Sequence, residues 1–599
     1  MSPPARDSAL PPPDRPQPQS AAPPSRVPRR GWWLAGLLAA CLVPRALMAS
    51  KLDTVCRDGV LYIQLAEGFE RHDIEAGLGK LRLNTYPPVL ALLHQAGLDW
   101  ESAGKCWGVF ISSMAVLPLF GWVRRQFDDR LAAIACLLYA VHPKLVEWSP
   151  ELVRDQTFWF LWTMSLYSCW RAACEFRWTW YVAAGVTIAL ALHTRFEGWC
   201  LYLPLLWWSA CRWLALTEFR RAIASRLAVS FAFCPLLIWS VNVVWLAGEP
   251  RWELGNFTRL EYVALWLHSA VGGAPSQPAP TAVSSSAASA PAAHAGNDGP
   301  RAAREAKPYA PGENDVGPTP ALATSGAAAP PARMSNGRLL WLFVNALRRG
   351  IGTLFGPLWL VGFASAIRTW LRRDQVVLFL VAGIVVAGIW IHLWYAQATS
   401  SRYFLTLVLI AAPCAACGCL RLCEFVSRLL TPRAKSLSRY GQAGGTPTPQ
   451  LAKLLSPHLP DTRPATRLVP LAGVLLLLSV CGMGEALADR HDGRRRDAAL
   501  GHWLLAEFGP GLHLTGSAEI EVLAYYAHGS VTLLATETLG APECPANPPH
   551  DLAVLSRHGI TPERFRESVA CVTAAGYQPI DAARLPPPYD WNDLVVLKR

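Results

Sequence analysis

Long apolar runs separated by short basic connections restrict what this chain can fold into more than any other feature. Arg26, Arg29 and Arg30 precede an apolar run from Gly31 to about Ser50. Further runs centre on 104–123, 131–147, 156–174, 179–194, 198–215, 227–247, 351–367, 375–394, 403–422 and 468–488. This makes about eleven spans, given the roughly 20 residues a helix needs to cross hydrocarbon. Inside lipid only helices and closed barrels satisfy their own backbone, so runs of this length mean helices. The 131–147 run is short and holds Pro143 and Lys144. The first run has the charged and apolar regions of a signal peptide, but the many spans after it make it an uncleaved first helix.

Composition agrees. The 599 residues are 52% hydrophobic and only 16% charged, too apolar for an ordinary soluble multidomain protein. Many of the 26 tryptophans sit near run ends, as in aromatic belts. The net charge of +12 is spread over short clusters rather than gathered in one patch with interleaved aromatics, which argues against nucleic acid as a partner.

With the N-terminus cytoplasmic, the inner connections 26–30, 124–130, 171–178, 212–226, 368–374 and 421–467 carry Arg124-Arg125, Arg171 and Arg177, Arg220-Arg221, Arg372-Arg373 and a basic stretch. Segments 51–103, 142–155, 193–197, 248–350 and 392–402 then lie outside, with Arg348-Arg349 running against the rule. Residues 1–30 form a Pro-, Ala- and Ser-rich disordered N-terminus. Residues 31–490 form the transmembrane domain, broken by a flexible outer loop at 274–333 and a cytoplasmic linker at 432–466. Residues 491–599 alternate short apolar runs (512–514, 521–526, 531–534, 552–555, 594–597) with helical stretches such as Asp497 to Phe508. This reads as a small soluble α/β domain, extracytoplasmic after eleven spans. The expected fold is therefore a polytopic α-helical membrane protein with a C-terminal α/β domain.

Ionisable residues at span ends are costly to place and so are functional candidates. The outer side collects Asp58, Glu67, Asp73, Lys80, Arg82, His142, Glu151, Arg154, Asp155, His193, Arg195, Glu197, His392 and Arg402. Asp58 begins a helical pattern whose Tyr62, Ala66 and Phe69 share one face. It reads either as a helix N-cap or as a base taking a proton from a nucleophile, with Asp53 a nearby alternative acid. Arg154-Asp155 opens a span, as a cap or as a second acidic site. His193, Arg195 and Glu197 are interfacial anchors or site residues. Arg402-Tyr403 starts a span, and Arg402 is either a snorkelling cation or a phosphate clamp. Tyr86-Pro87-Pro88 reads as a rigid, extended turn. Lys80 and Arg82 precede it and could face an anionic headgroup.

Cys414, Cys417, Cys419 and Cys423 have metal-like spacing but lie in a small-residue apolar span, which favours helix packing. Cys544 and Cys571 are disulfide candidates if their region is extracytoplasmic. Asn256-Phe257-Thr258 matches a glycosylation acceptor. Walker, dinucleotide-binding and HExxH motifs are absent, so no nucleotide cofactor is expected and a divalent metal has no sequence support.

Several short motifs, in order, resemble the GT-C membrane glycosyltransferases, in particular family 39 with its protein mannosyltransferase, aminoarabinose-transferase and Rgt-like bacterial relatives. These are RDGVLYIQLA (57–66), NTYPPVLALL (84–93), SPELVRDQTFWFL (149–161), HTRFEGWCLYLP (193–204) and SSRYFLTLVL (400–409). The resemblance implies inverting transfer of a sugar from a polyprenyl-phosphate donor to a glycan, lipid or protein acceptor at the outer face, most naturally of a bacterial inner membrane. It makes Asp58 the catalytic base and Asp155 the second acid. It makes Lys80, Arg82, Arg195 and Arg402 candidates for the lipid phosphate, with Tyr62, Tyr86, Glu197 and Tyr403 lining the substrate site. The competing readings are a transporter or flippase of lipid-linked sugars, which would place charges mid-span in related halves, and a non-catalytic membrane scaffold.

Overall fold

The computed structural model describes residues 30–243, 335–353, 355–370, 375–396, 399–430, 465–487, 492–516, 520–533, 552–556, 562–586 and 594–599. The N-terminal 1–28 segment, the sequon at Asn256, the 274–333 insertion, the linker up to 464, Cys544 and the Lys80 side chain lie outside the described residues.

The first half of the chain builds α1 (Arg30–Ala49), α2 (Arg57–Glu70), α3 (Ile74–Leu78), α4 (Tyr86–Gln95), α5 (Trp100–Met114), α6 (Val116–Gln126), α7 (Asp129–Val141) and α8 (Pro143–Trp148). It continues with α9 (Asp155–Glu175), α10 (Trp178–Thr194), α11 (Tyr202–Ala215) and α12 (Arg220–Val241). After the undescribed segment come α13 (Asn336–Ile351), α14 (Phe355–Trp370), α15 (Val376–Ala396), α16 (Leu405–Leu430) and α17 (Ala465–Leu487). Among the described residues, five stretches are long and apolar enough to cross a membrane: Trp32–Ala49, Trp100–Gln126, Thr217–Val241, Val376–Trp394 and Ser401–Ser427. Exposed Trp32, Leu236, Leu360, Leu380, Leu476 and Val480 give the bundle the apolar outer surface that lipid requires. The chain is a polytopic helical membrane protein.

Two expectations for the first half change. The short 131–147 run is not one helix. It breaks at His142, whose extended backbone and ring Nδ1 cap α8, with Pro143 as its first residue. Proline lacks an N–H and so suits a helix start better than its interior. For the same reason Tyr86-Pro87-Pro88 is no extended turn but the first turn of α4.

Small residues let two helices cross closely. A Cβ on Gly362 of α14 would collide with the Cys414 carbonyl of α16, and one on Gly418 with the Leu358 carbonyl. The cysteine-rich stretch of α16 is therefore a packing surface, with Cys414, Cys419 and Cys423 buried. Arg45, fully buried in α1, donates to the Cys41 and Ala140 carbonyls at 2.9 and 3.1 Å and lies 4.8 Å from the Tyr139 ring. It thereby ties α1 to the C-terminal carbonyls of α7, where a cation is favoured.

The C-terminal unit holds α18 (Asp492–Phe508), β1 (His513–Gly516), α19 (Ile520–Tyr526), β2 (Ser530–Leu533), β3 (Leu552–Ser556), α20 (Pro562–Ala574), β4 (Gln578–Pro579) and β5 (Leu594–Lys598). The sheet runs β2-β1-β3-β5-β4, with β1 parallel to β2 and β3 and β5 antiparallel to β3 and β4. Every residue of β3 is buried, as in a strand covered on both faces. The 521–526 run, grouped above with the strand-like runs, is the helix α19, which packs Ile520, Leu523 and Ala524 onto Leu500, Leu504 and Leu514. Cys571 is disulfide-bonded.

Candidate functional site

Two acids stand in the first turns of two helices. The residue capping α2 is Cys56, whose side chain makes no capping bond, and Asp58 is the second helical residue. Asp58 is therefore not the cap. Asp155 opens α9 after Arg154, which likewise makes no side-chain cap. A helix start favours negative charge through its unpaired N–H groups. Two arginines stand at the ends of other elements. Arg195 terminates α10, and Arg402 lies in the 3-10 turn Ser401–Phe404 that leads into α16, its N–H held by the Ser400 hydroxyl.

These four ends converge. Arg402 Nη2 pairs with Asp58 Oδ2, and Arg195 Nη1 with Asp155 Oδ1. Arg195 also grips Glu197 with two donors, Nη2 to Oε1 at 2.6 Å and Nε to Oε2 at 3.2 Å. Tyr403 joins the two pairs, its ring 5.3 Å from the Arg195 guanidinium and 5.5 Å from that of Arg402. Phe158 lies 5.6 Å from Arg195 and Trp148 lies 5.5 Å from Arg402.

The side chains of Arg195, Asp155 and Glu197 keep 5, 4 and 14% of their exposure, whereas Asp58 keeps 39%. The Arg195 cluster is thus a sealed base to the site, and Asp58 is its open edge. Three carboxylates pair with two guanidiniums here, and Arg154 is a further cation whose charge reaches Tyr62. Arg154 is half-buried and makes no ion pair among the described residues. Arg402 Nε is buried without a hydrogen-bond partner among the described residues.

Tyr62 and Tyr86 meet edge to face with ring centres 5.1 Å apart, both buried. Burial, with Asp58 and Asp155 adding and Arg154 and Arg402 opposing, pushes the Tyr62 hydroxyl up to about 12, so it stays protonated near neutrality. The Tyr86 hydroxyl is buried without a hydrogen-bond partner among the described residues. Asn84 Oδ1 accepts from the Tyr86 N–H at 3.0 Å and fixes the entry to α4.

The other expected positions have varied surroundings. Arg82 closes the 3-10 turn Gly79–Leu81 with φ 58. Asp53 lies at the surface, 3.8 Å from Arg495. His193 is no interfacial anchor; it is fully buried against Cys234. His392 lies edge-on to Tyr403, ring centres 5.4 Å apart. Trp148, Phe158 and Arg45 went unforeseen. The first two had no signal beyond being aromatic near a span end, whereas an arginine inside the first apolar run was a signal.

Residues 89–245 match the sequence-family model described as dolichyl-phosphate-mannose-protein mannosyltransferase, a segment that contains Asp155, Arg195 and Glu197. No curated protein sequence matches the chain. In three dimensions it is similar to ArnT from Cupriavidus metallidurans. The apo form matches at TM-score 0.51 and 13% identity over 95% of this chain and 98% of that one. The form bound to undecaprenyl phosphate matches at TM-score 0.50, with the same identity and coverage.

Proposed function

We propose that this chain, a GT-C type membrane glycosyltransferase, transfers a sugar from a polyprenyl-phosphate donor to an acceptor hydroxyl or amine, with Asp58 as the general base. The observation that supports this most is the Asp58–Arg402 pair. It joins residues far apart in sequence at the most open edge of the charge cluster among the described residues. Undecaprenyl phosphate in the similar ArnT structure makes a lipid phosphate the natural leaving group here.

The charges give the reaction an order. A phosphate brings further negative charge to a site whose Arg195 and Arg402 guanidiniums are already engaged by carboxylates. It is accommodated when Arg402 exchanges Asp58 for the phosphate, its unpartnered Nε supplying the second donor of a bidentate grip. The same exchange frees Asp58. The carboxylate then takes the acceptor's proton as the acceptor atom bonds to the anomeric carbon, and the sugar–phosphate oxygen bond breaks with inversion. The lipid phosphate leaves with the electron pair, and its new charge faces Arg402 and Arg154. The Tyr62 hydroxyl, protonated throughout, acts as a donor. Because the donor already carries an activated leaving group, the chain's own residues have only to hold, orient and deprotonate.

The charged residues stand at helix ends rather than mid-span, which suits an enzyme better than a transporter. The outer leaflet is the proposed side of reaction, following the basic inner connections. Asp58→Asn tests the reading directly. In proteoliposomes supplied with a panel of undecaprenyl-phosphate-linked pentoses and hexoses, transfer should fall by about 10²- to 10⁴-fold while expression and insertion persist. Full activity in that variant would refute the role of Asp58.

A further inference from the structure

The C-terminal α/β unit meets the membrane domain at the two segments that carry the acids. The Val55 N–H, three residues before Asp58, donates to the Tyr526 hydroxyl at 2.9 Å. That hydroxyl donates onward to Glu101 Oε1 of α5 at 3.1 Å, so it is satisfied from both sides. Arg57, the residue next to Asp58, pairs with Glu521 of α19 at 2.8 Å. Arg494 of α18 pairs at 2.6 Å with Glu151, which is 2% exposed and lies four residues before Asp155.

Between these polar links runs one apolar seam. Val55, Val60 and Ile63 from the first acidic segment and Leu152 from the second pack with Ala498, Val522 and Tyr526 of the α/β unit. The seam is closed tightly. A Cβ on Gly59 would lie 2.6 Å from Val55 Cγ1 and 2.9 Å from Leu152 Cβ. A mobile appendage would meet a membrane domain through exposed, exchangeable contacts. This unit instead buries a carboxylate, a backbone N–H and four apolar side chains of the acidic segments.

We propose that the α/β unit is a positioning element for both acids, and that Tyr526 is the positioning residue that fixes the turn bearing Asp58. The proposal rests on the reading of Asp58 as the base. Its physical content is that the turn at Val55 has one anchored amide, and that the anchor spans from α5 to α19. Loss of the hydroxyl leaves the ring in the seam but frees the amide. Asp58 then samples positions off the line to the acceptor, and small misplacements of a reacting group are costly to turnover.

The test is Tyr526→Phe in the full-length enzyme, with Asp58→Asn alongside. The expected result is a fall in kcat of about tenfold with little change in donor KM, together with faster hydrogen exchange in the peptide containing Val55. Glu101→Gln, whose amide oxygen still accepts from the hydroxyl, should keep wild-type kcat. If Tyr526→Phe fails to accumulate, Glu101→Leu loosens the same anchor by removing the acceptor that holds the Tyr526 hydroxyl, and should lower kcat in the same direction with faster exchange at Val55. Wild-type kcat and exchange in the variant lacking the anchor would overturn the inference while leaving the catalytic reading intact, provided Asp58→Asn is inactive. Activity retained in Asp58→Asn would overturn both.

Discussion

Arg195 offers the sharpest separation of stability from catalysis. Its guanidinium is the shared partner of Asp155 and Glu197, and the three side chains keep only 5, 4 and 14% exposure. Arg195→Met fills a similar volume but orphans two buried carboxylates. Breaking a buried pair in this way costs roughly 3–5 kcal/mol. Arg402 also acts electrostatically on Asp155, so one acid keeps a cation nearby and the low end, about 3 kcal/mol, is expected. Asp155→Asn should cost less, about 1.5–3 kcal/mol, because Arg195 keeps Glu197 and only one charge-assisted bond weakens. A triple variant, Arg195→Met with Asp155→Leu and Glu197→Met, removes the desolvated charges together and should recover most of the lost stability. It should nevertheless be inactive. The assay is the monomeric fraction of detergent-solubilised protein after heating at a fixed rate, since unfolding of such proteins is seldom reversible. The reasoning fails if Arg195→Met is as heat-resistant as the wild type, or if the triple variant is no better than Arg195→Met alone.

Gly59→Ala should push α2 away from Leu152, cost about 1–3 kcal/mol of stability by overpacking, and lower transfer more than it lowers the yield of inserted protein. Equal losses in both measurements would mean that the acid is not displaced. A reporter fused after Arg599 should read as extracytoplasmic, as the basic inner connections require. A cytoplasmic signal would invert the proposed side of reaction.

The apolar runs were legible because a bilayer imposes a length on every helix that crosses it, and that length shows in one dimension. The acids and arginines were legible as candidates for a related reason: charge at a span end is costly, so Asp58, Asp155, Arg195 and Arg402 stood out before any contact was known. Which acid meets which arginine was not legible. Each pair depends on how several helices pack, and no local periodicity encodes it. Misreadings came where a short run admits two structures. Residues 521–526 form a short, largely apolar run of a length that suits a strand as well as a helix, yet α19 buries Ile520, Leu523 and Ala524 against the sheet. Tyr86-Pro87-Pro88 was read from proline's stiffness, whereas its missing N–H made it a helix start.

The links between the α/β unit and the acidic segments were the least legible, since Val55 and Tyr526 lie at opposite ends of the chain and neither stands out by type. Their arrangement bears on the proposed chemistry. The proposed base sits on a short helix that follows a loop, and loops move. A base paired with Arg402 at rest must exchange that partner for the acceptor without leaving the reaction line. Freedom of the carboxylate and rigidity of its backbone are therefore both required. The structure supplies them from different sides. Asp58 is held by an exposed-edge ion pair, which a phosphate can displace, while Val55 and Gly59 around it are held by hydrogen bonding and packing that no substrate contacts need disturb. On this reading the α/β unit has a catalytic consequence without touching substrate, because it confines the exchange at Arg402 to a side-chain movement.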